Sequence, residues 1–527
     1  MDQKVLEAAR AAFPTSADRV TLGAVIHDGE CNPEPLVSIP IAMMNRHGLV
    51  AGATGTGKTR TLQLIAEQLS AAGVPVFVSD IKGDLSGLGA QGPSNDRITS
   101  RATETGFPWQ SSAFPVEFLS LTGAKGAQLR ATVSSFGPLL LAKVLGLNST
   151  QTSVLALVFK YCDDKGLLLI DFPDLRAVLQ YLTDEGAEEL KPYGGMSKAT
   201  VGVLLREMVE LEQQGAEKFF GEPEFEIEDL IEHDRDGRGI ISVLELSDVQ
   251  DKPDLFSTFM LWMLATLYND LPEVGDLDKP KLAFFFDEAH LLFDNASKPL
   301  LEQVQQVVRL IRSKGVGVYF VTQNPKDVPD EVLGQLGHRV QHALRAFTPD
   351  DDKALRAAAR TYPKTAFYDV EETLTTLGTG EAFITILSQK GTPTPPFATR
   401  LIPPASLMSP LPDLEQCVAK SVQVKKYAQP IDRESAREKL AARVGAAPLP
   451  QTGPAPEAAV EQQYETPAPR PPKAASRRST KQPPGTFEQI MKSPVARTVA
   501  GTITRGIMGA LLGTPRRRTT TRRSKWF

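Results

Sequence analysis

Residues 52–59 combine glycines, a lysine and a hydroxyl side chain in the order Gly-Ala-Thr-Gly-Thr-Gly-Lys-Thr, which fits the pattern GxxxxGK[ST] in full. Glycines allow successive backbone N–H groups to face one anion, and the positive end of a following helix strengthens the attraction. Lys58 would reach the β- and γ-phosphates of a nucleotide, and Thr59 would give its hydroxyl to Mg²⁺. The octapeptide therefore predicts an ATP·Mg²⁺ site formed by Gly52, Ala53, Thr54, Gly55, Thr56, Gly57, Lys58 and Thr59.

Two adjacent acids, Asp287 and Glu288, follow the apolar run Leu-Ala-Phe-Phe-Phe. A strand of this kind would deliver both carboxylates to the end of a sheet. Asp287 is predicted to hold Mg²⁺, and Glu288 to act as the general base that polarises the attacking water. A helix-capping pair of acids would look similar, but the intact glycine-rich motif upstream favours the catalytic interpretation.

A second polar strand end and three arginines complete the candidate catalytic set. Gln323 follows the apolar run 316–322 and is predicted to contact the attacking water and the γ-phosphate. Phosphoryl transfer commonly uses a cation that meets charge developing on the γ-phosphate, often an arginine from a neighbouring subunit. The candidates for this arginine finger are Arg309, Arg312 and Arg345, and each is also compatible with an ordinary solvated charge.

These residues require elements that bring them to one edge of a sheet. Residues 47–52 predict a buried strand that enters the glycine-rich turn, and the apolar spacing in 60–72 predicts the helix after it. A short β-rich run at 74–79, ending beside Asp80, completes a βαβ unit and so predicts a parallel sheet. Further short apolar runs predict buried strands at 116–121, 239–246, 282–286, 316–322 and 382–387.

The pattern divides the chain into a discontinuous α/β core and several additions. Residues 1–122 and 236–402 are predicted to form the core, and apolar residues at helical spacing in 123–235 predict a helical insertion. A C-terminal helical extension is predicted over 403–447. Ten prolines in 448–484 and few large apolar residues then predict a linker without a packed core, followed by a largely disordered tail to residue 527.

The formal charge is unevenly distributed. Residues 470–527 hold fourteen Lys or Arg and one acid, or +13; since the whole chain carries −5, residues 1–469 carry −18. Such a basic tail suits nucleic acid, an anionic membrane surface or the acidic face of the protein itself, and a merely solubilising tail is an equal alternative. Apolar residues every four positions in 495–511 predict a short amphipathic helix that docks on a neighbouring domain or on a membrane surface.

Composition favours a soluble protein of the reducing cytoplasm. The three cysteines, Cys31, Cys162 and Cys417, are too far apart for a metal-binding spacing or a dense disulfide framework. The N-terminus lacks an apolar segment of signal-peptide length, and no run of 18 apolar residues is present.

Four segments together resemble the HerA/FtsK superfamily of hexameric DNA translocases, and most of all its bacterial HerA-like helicase subgroup. They are HGLVAGATGTGKT (47–59), SDIKGDLSG (79–87), AFFFDEAH (283–290) and VYFVTQNP (318–325), and the similarity covers roughly residues 20–445. The resemblance implies a RecA-like core in which the Gln323 strand lies between the strands of the glycine-rich motif and Asp287. It also implies a homo-hexameric ring with ATP at subunit boundaries, DNA in the central pore and an arginine finger acting in trans.

Two departures from related enzymes shape this expectation. Archaeal HerA carries a complete β-barrel before its glycine-rich motif, whereas 51 residues precede Gly52, so a full barrel is not expected. The letters Asp-Glu-Ala-His at 287–290 suggest a monomeric DEAH-type helicase, but the arginine-rich final motif of such enzymes is missing from the sequence. His290 is therefore interpreted as a polar residue that begins the next helix.

An alternative from a different class is a nucleotide-gated scaffold, which remodels or recruits proteins and does not move DNA. The charge of −18 on residues 1–469 makes a poor general DNA surface, although a pore needs only a few basic residues per subunit. Lys82 is one candidate for such a pore contact, and a plain turn lysine is the favoured alternative for it.

Overall fold

The computed structural model describes residues 2–13, 18–250, 253–275, 277–294, 298–388, 390–429, 431 and 433–445. These residues belong to one unit of the chain, residues 1–450, and a second unit comprises 451–527. The predicted proline-rich linker, amphipathic helix and basic tail lie outside the described residues.

One sheet of twelve strands runs through the described part of the chain, in the order β2-β1-β12-β11-β10-β3-β9-β8-β4-β7-β5-β6. The eight strands from β10 to β6 pair parallel with one another, while β2, β1, β12 and β11 pair antiparallel, and β11 is also antiparallel to β10. The strands are β1 (Arg19–His27), β2 (Glu30–Pro40), β3 (Gly48–Ala51), β4 (Val76–Asp80), β5 (Val116–Ser120), β6 (Ala127–Gln128), β7 (Ile241–Glu245), β8 (Leu282–Phe286), β9 (Val316–Thr322), β10 (His338–Gln341), β11 (Glu381–Thr385) and β12 (Phe397–Leu401).

Seventeen α-helices lie in the described residues, and most connect consecutive strands. They are α1 (Gln3–Ala12), α2 (Lys58–Ala71), α3 (Asp96–Thr105), α4 (Val133–Phe136), α5 (Pro138–Val144), α6 (Ser149–Lys165), α7 (Phe172–Thr183), α8 (Lys198–Gln213), α9 (Pro253–Asp270), α10 (His290–Phe293), α11 (Lys298–Leu310), α12 (Asp330–Leu333), α13 (Pro349–Arg360), α14 (Val370–Thr376), α15 (Leu414–Lys420), α16 (Val422–Tyr427) and α17 (Ala436–Val444).

The central strands are apolar along their whole length because both faces of the sheet are covered. Every residue of β3, β4, β7, β8 and β9 is buried. One hydrophobic core lies between one face and the helices α4 to α9 and α11, and a second lies between the opposite face and α1 and α2. Continuous apolar runs are what a parallel sheet buried on both faces requires.

The predicted α/β fold with a mostly parallel sheet is confirmed. β8 and β9 coincide with the predicted strands 282–286 and 316–322, and β9 lies between β3 and β8 as the family resemblance implies. Five strands were not predicted from the sequence: β1, β2, β6, β10 and β12. The described residues before Gly52 form α1, a β1–β2 hairpin that extends the sheet, a 3-10 turn and β3, and no closed barrel.

The stretch 123–235 contributes β6 and then the helices α4 to α8. The apolar residues of these helices share one core with a face of the sheet, since Leu155, Leu175 and Leu204 join Phe284 in a single buried cluster. The segment 403–447, predicted as a helical extension, contains α15, α16 and α17, and α17 begins after Ser435, whose side chain caps it.

Candidate nucleotide-binding and catalytic site

The glycine-rich motif forms the turn between β3 and α2, at the carboxyl end of the parallel strands. Gly52, Gly55 and Gly57 have φ values of 153°, 78° and 115°, which side chains other than glycine rarely adopt. At Gly52 a Cβ atom would lie 2.5 Å from the Cβ of His342. The sequence therefore needs glycine here for both conformation and space, and the resulting turn presents backbone N–H groups at the start of a helix.

Lys58 is the first residue of α2, and its side chain folds back over the turn. Its Nζ donates a hydrogen bond to the carbonyl oxygen of Ala53 at 3.3 Å, and the residue is 8% exposed. Burial lowers the pKa of Lys58, and the charge of Glu288 acts against that lowering, as does Asp287. The structure thus brings together the motif lysine and the two acids, which are far apart along the chain.

Asp287 follows β8 directly and is 2% exposed. Its backbone N–H donates to the hydroxyl of Ser79 at the end of the neighbouring strand β4, while its Oδ2 has no hydrogen-bond partner among the described residues. Burial, together with the nearby charges of Glu288 and Asp80, raises the pKa of Asp287 to about 7. A buried carboxylate oxygen without a partner is costly, and a bound cation is the usual compensation.

Glu288 has a φ of 47°, an uncommon backbone conformation for a residue with a side chain. Its Oε1 accepts a hydrogen bond from Lys82 Nζ in an ion pair. Its buried Oε2 lies 3.4 Å from His290 Nδ1 and accepts no hydrogen bond from the part of the chain that the structure describes. Burial alone would raise the pKa of Glu288, but the hydrogen bond and charge of Lys82 bring it below its ordinary value. A carboxylate held ionised in this way is suited to accept a proton.

Gln323 follows β9 and lines a cavity of about 380 Å³ next to the glycine-rich turn. Ala53 and Thr54 form the wall of this cavity on the side of the turn, and His290 and Arg345 form other parts of it. The predicted sensor residue therefore lies beside the first residues of the motif. Its amide is exposed, so it is free to contact a bound group.

A match to a known protein family shows the family to which the chain belongs. The family described as helicase HerA-like C-terminal matches residues 27–519 of the chain. The chain belongs to this HerA-like family. The family is part of the HerA/FtsK superfamily of P-loop ATPases, as the resemblance in the sequence indicated.

Individual relatives of this HerA-like chain are distant. A probable helicase of Methanocaldococcus jannaschii is 26% identical over 154 residues, which cover 27% of the chain and 28% of the relative. The DNA double-strand break repair helicase HerA of Sulfurisphaera tokodaii is 22% identical over 370 residues, or 66% of the chain and 64% of the relative. The chain thus covers less than two thirds of either relative.

Among solved structures, the plasmid coupling protein TrwB, in complex with the non-hydrolysable ATP analogue ADPNP, has a similar fold. The TM-score is 0.50 at 16% identity, over 76% of the HerA-like chain and 94% of TrwB. This similarity supports the RecA-like arrangement of sheet and helices.

The three candidate finger arginines of the HerA-like chain lie at different places. Arg345 borders the cavity beside the glycine-rich turn of its own chain. Arg309 is exposed at the end of α11, and Arg312 lies in the 3-10 turn Ile311–Lys314 just before β9, near His47 at the start of β3. The last two are therefore at the amino ends of the strands, away from the nucleotide site of the same subunit.

Two residues of the site were not identified from the sequence. Lys82, interpreted from the sequence as a turn lysine or a pore contact, lies in the turn after β4 and forms the ion pair with Glu288. His342 is buried beneath the glycine-rich turn, where its Nε2 lies 2.8 Å from the hydroxyl of Thr61, and burial lowers its pKa to about 4. Lys82 closely follows Asp80, the last residue of β4, and β4 pairs with β8. Because the sequence does not reveal this strand pairing, it does not identify Lys82 as a residue of the site.

The turn that carries Lys82 is fixed by Asp80. Both side-chain oxygens of this buried acid accept backbone N–H groups. Oδ1 accepts that of Gly83 and Oδ2 accepts that of Leu85, each at 2.8 Å.

His290 begins the short helix α10, as expected, and contributes its side chain to the cavity wall. The described residues contain no group of three or more His, Cys, Asp or Glu side chains that could hold a metal ion.

The geometry fits ATP with a divalent cation. The turn offers N–H groups and Lys58 to phosphates, and Asp287 offers an orphaned carboxylate oxygen. Mg²⁺ is commonly held by one or two protein oxygens together with substrate phosphates, so a site without a dedicated protein cage is suitable for it.

Within the described residues, no helix combines the length and apolar character needed to cross a membrane.

Proposed function

We propose that this HerA-like chain hydrolyses ATP, using residues 52–59 to bind the phosphates and Glu288 to activate water. The observation that carries the proposal is the convergence of Lys58, Asp287 and Glu288 at the carboxyl ends of the parallel strands β3 and β8, which lie on either side of β9. This juxtaposition supports a single buried site in which Lys58 would bind phosphate and Glu288 would accept a proton. A merely structural turn would not need an unpartnered oxygen on each of two adjacent acids.

The proposed roles follow from the chemistry of each group. Backbone N–H groups of the turn and the ammonium of Lys58 bind the β- and γ-phosphates and neutralise charge that develops there. The hydroxyl of Thr59 and the carboxylate of Asp287 would hold Mg²⁺, which would supply positive charge to offset that of the phosphates. Glu288 accepts a proton from water through Oε2, while Lys82 keeps Oε1 occupied. Gln323 orients the water from the neighbouring strand end.

Two substitutions test the hydrolytic assignment. Glu288→Gln should bind ADPNP with Mg²⁺ as the wild type does and lose turnover by roughly 10²–10⁴-fold, the usual contribution of a general base. Lys58→Ala should lose both binding and turnover. The matched control is Lys191→Ala, which should retain both nucleotide binding and turnover. Lys191 is far from the site along the chain, and its side chain is 69% exposed in an ion pair. Full turnover by Glu288→Gln would refute the assignment.

We further propose that ATP hydrolysis moves DNA through a homo-hexameric ring. The family relative from Sulfurisphaera tokodaii is described as a DNA double-strand break repair helicase, and TrwB as a plasmid coupling protein. The test is ATP turnover with and without duplex or single-stranded DNA, which a translocase should accelerate several-fold. Particle mass should correspond to six copies when ATP is present. A monomer at all nucleotide concentrations would contradict the ring.

Subunit mixing tests the arginine finger. If Arg309 or Arg312 acts in trans, its alanine variant mixed with Lys58→Ala should regain some turnover, because one interface then combines an intact nucleotide site with an intact arginine. Arg345 lies beside the site of its own chain, so its alanine variant should show no such complementation. A lack of recovery in all three mixtures would exclude a finger in trans among these residues.

The second candidate, a nucleotide-gated scaffold that does not move DNA, is favoured by the charge of −18 on residues 1–469. Turnover unaffected by DNA would support it. Salt separates two sources of DNA binding: contacts of the basic tail should weaken steeply with ionic strength and disappear when 470–527 is deleted, whereas pore binding should survive the deletion. The cytoplasm is the proposed compartment for either function.

A further inference from the structure

A cavity of about 760 Å³ lies between the stretch 222–228, the second half of α9 and the end of α16 with residues that follow it. The residues that line it are different from those of the candidate nucleotide site. Its lining holds five acidic and two basic side chains, so it has a formal charge of −3. The acids are Glu222, Glu224, Glu226, Glu228 and Asp270, and the bases are Lys426 and Arg433.

The ammonium group of Lys426 shows how this cavity holds a cation. Its Nζ donates to Glu226 at 2.6 Å and to both carboxylate oxygens of Asp229 at 2.9 Å. The same Nζ lies 5.2 Å from the centre of the Tyr427 ring. Carboxylates combined with the face of an aromatic ring are a common means of binding organic cations.

The carboxylate of Glu222 is only half satisfied. Its side chain is 4% exposed, and its Oε1 pairs with Arg433. Its buried Oε2 has no hydrogen-bond partner in the part of the chain that the structure describes. An unpartnered oxygen on a buried carboxylate costs free energy, which a donor group on a ligand in the cavity would recover.

Three further carboxylates of the lining, those of Glu224, Glu228 and Asp270, have no cationic partner among the described residues. Burial and the nearby charge of Asp270 raise the pKa of Glu224. Burial and the charge of Glu228 likewise raise the pKa of Asp270. Asp270 is also the last residue of α9, where the carbonyl end of the helix adds negative charge. This part of the cavity therefore favours a cation.

The cavity also has an apolar wall. Trp262 and Phe225, which are 2% and 3% exposed, belong to it, together with Ile227 and Ile431. Trp262 and Asp270 both line the cavity, although eight residues of α9 separate them, which is roughly 12 Å along the helix axis. A ligand that contacts both residues must be elongated, and it must combine apolar segments with cationic groups.

We propose that this cavity binds a linear aliphatic polyamine. The ammonium groups of the ligand pair with Glu222, Glu224 and Asp270, and its methylene segments lie against the apolar wall. An inorganic cation of equal charge would pair with the carboxylates but would gain nothing from that wall. The inference goes beyond the proposed ATP hydrolysis and does not depend on it.

The experiment compares spermidine with hexaamminecobalt(III), a trication without an aliphatic chain. Calorimetry on the full chain without nucleotide measures both affinities. The wild type should bind spermidine at least tenfold more tightly than hexaamminecobalt(III). Equal affinities would overturn the proposal, because general attraction to an acidic protein does not distinguish the two trications.

Two double variants locate the binding. Glu224→Gln combined with Asp270→Asn should weaken spermidine binding at least tenfold. Glu185→Gln combined with Glu210→Gln makes the same change in charge at exposed positions outside the cavity, and it should leave spermidine affinity within twofold of the wild type. Equal losses in the two double variants would overturn the site.

A milder variant guards against misfolding of the first. Glu228→Gln changes an exposed side chain of the lining, and it should weaken spermidine binding threefold or more. Unchanged affinity in Glu228→Gln and in the cavity double variant would refute the proposal. A tri-arginine peptide tests a protein segment as the source of the cation. If the peptide binds more tightly than spermidine and loses affinity in the cavity double variant, the polyamine assignment is wrong.

Discussion

Lys82 and Glu288 form an ion pair across the ends of two adjacent strands, β4 and β8, although 206 residues separate them in the chain. Lys82 is thus next to the proposed general base and not only a turn residue. Because Lys82 occupies Oε1, the buried Oε2 of Glu288 is the oxygen proposed to accept the proton.

Replacing Lys82 should therefore affect turnover more than binding. Lys82→Met should lower kcat by about tenfold, a part of the contribution of a general base, with KM for ATP within twofold of the wild type. Lys82→Arg, which retains a donor, should recover most of kcat. Lys125→Met is the control, since Lys125 lies at the same edge of the sheet but bonds to Ser247. Equal kcat values for Lys82→Met and the wild type would contradict this role.

Gly52→Ala should disrupt the glycine-rich turn. The new Cβ would lie 2.5 Å from the Cβ of His342, and φ is 153°. The free energy of unfolding should fall by roughly 1–3 kcal/mol, and ADPNP binding should be lost. Gly29→Ala has a positive φ of 79° but meets no atom within 4 Å, so it isolates the effect of conformation. Urea unfolding measures the free energy of unfolding, and calorimetry measures ADPNP binding. Full ADPNP affinity in Gly52→Ala would show that the turn can rearrange.

Three buried histidines should make the protein less stable in mild acid. Burial lowers the pKa of His47, His338 and His342 to about 4 in each case. In the unfolded chain each binds a proton as pH falls below about 6.5, while the folded protein does not until about pH 4. Stability is therefore complete above pH 6.5 and is lost between 6.5 and 4, at about 1.4 kcal/mol per pH unit for each histidine.

His338→Gln isolates one of these contributions. His338 donates from Nε2 to the carbonyl of Met43 and accepts at Nδ1 from the N–H of Leu387, so its neutral form is the bonded one. The free energy of unfolding of the variant should be lower than that of the wild type at pH 7.5. It should also change less steeply with pH, by about 1.4 kcal/mol per pH unit. Urea unfolding from pH 7.5 to 5 supplies both values. Parallel curves for variant and wild type would show that His338 is protonated in the folded state.

Glu67 links α2 to the segment that follows β12. Its two oxygens accept the N–H groups of Ala405 and Ser406 and the hydroxyl of Ser406, and the residue is 3% exposed. Glu67→Gln would turn an amide N–H₂ towards one of these donors. We expect a loss of about 1–3 kcal/mol in thermal or urea unfolding, the cost of an unsatisfied buried group. The control Glu210→Gln, at an exposed position of α8, should leave the free energy of unfolding unchanged. An equal loss of stability in the two variants would refute the explanation.

The predictable part of the fold lies in its buried parallel strands. Continuous apolar runs with turn residues on either side identified β8 and β9 to the residue, because strands buried on both faces leave a strong local signal. The antiparallel part was largely missed. β2 is exposed at several positions and β10 is only four residues long, so neither has a clear apolar run.

The amino-acid sequence by itself determined the turn at residues 52–59, the acids after β8 and the family. Glycine spacing and apolar runs are local properties that require no partner from elsewhere in the chain. Only the tertiary structure decided that Lys82 holds Glu288, that His342 lies beneath Gly52, and that α3 and the end of β12 form a cavity beside α2. These contacts depend on the order of strands in the sheet, and strand order joins residues that no local pattern connects.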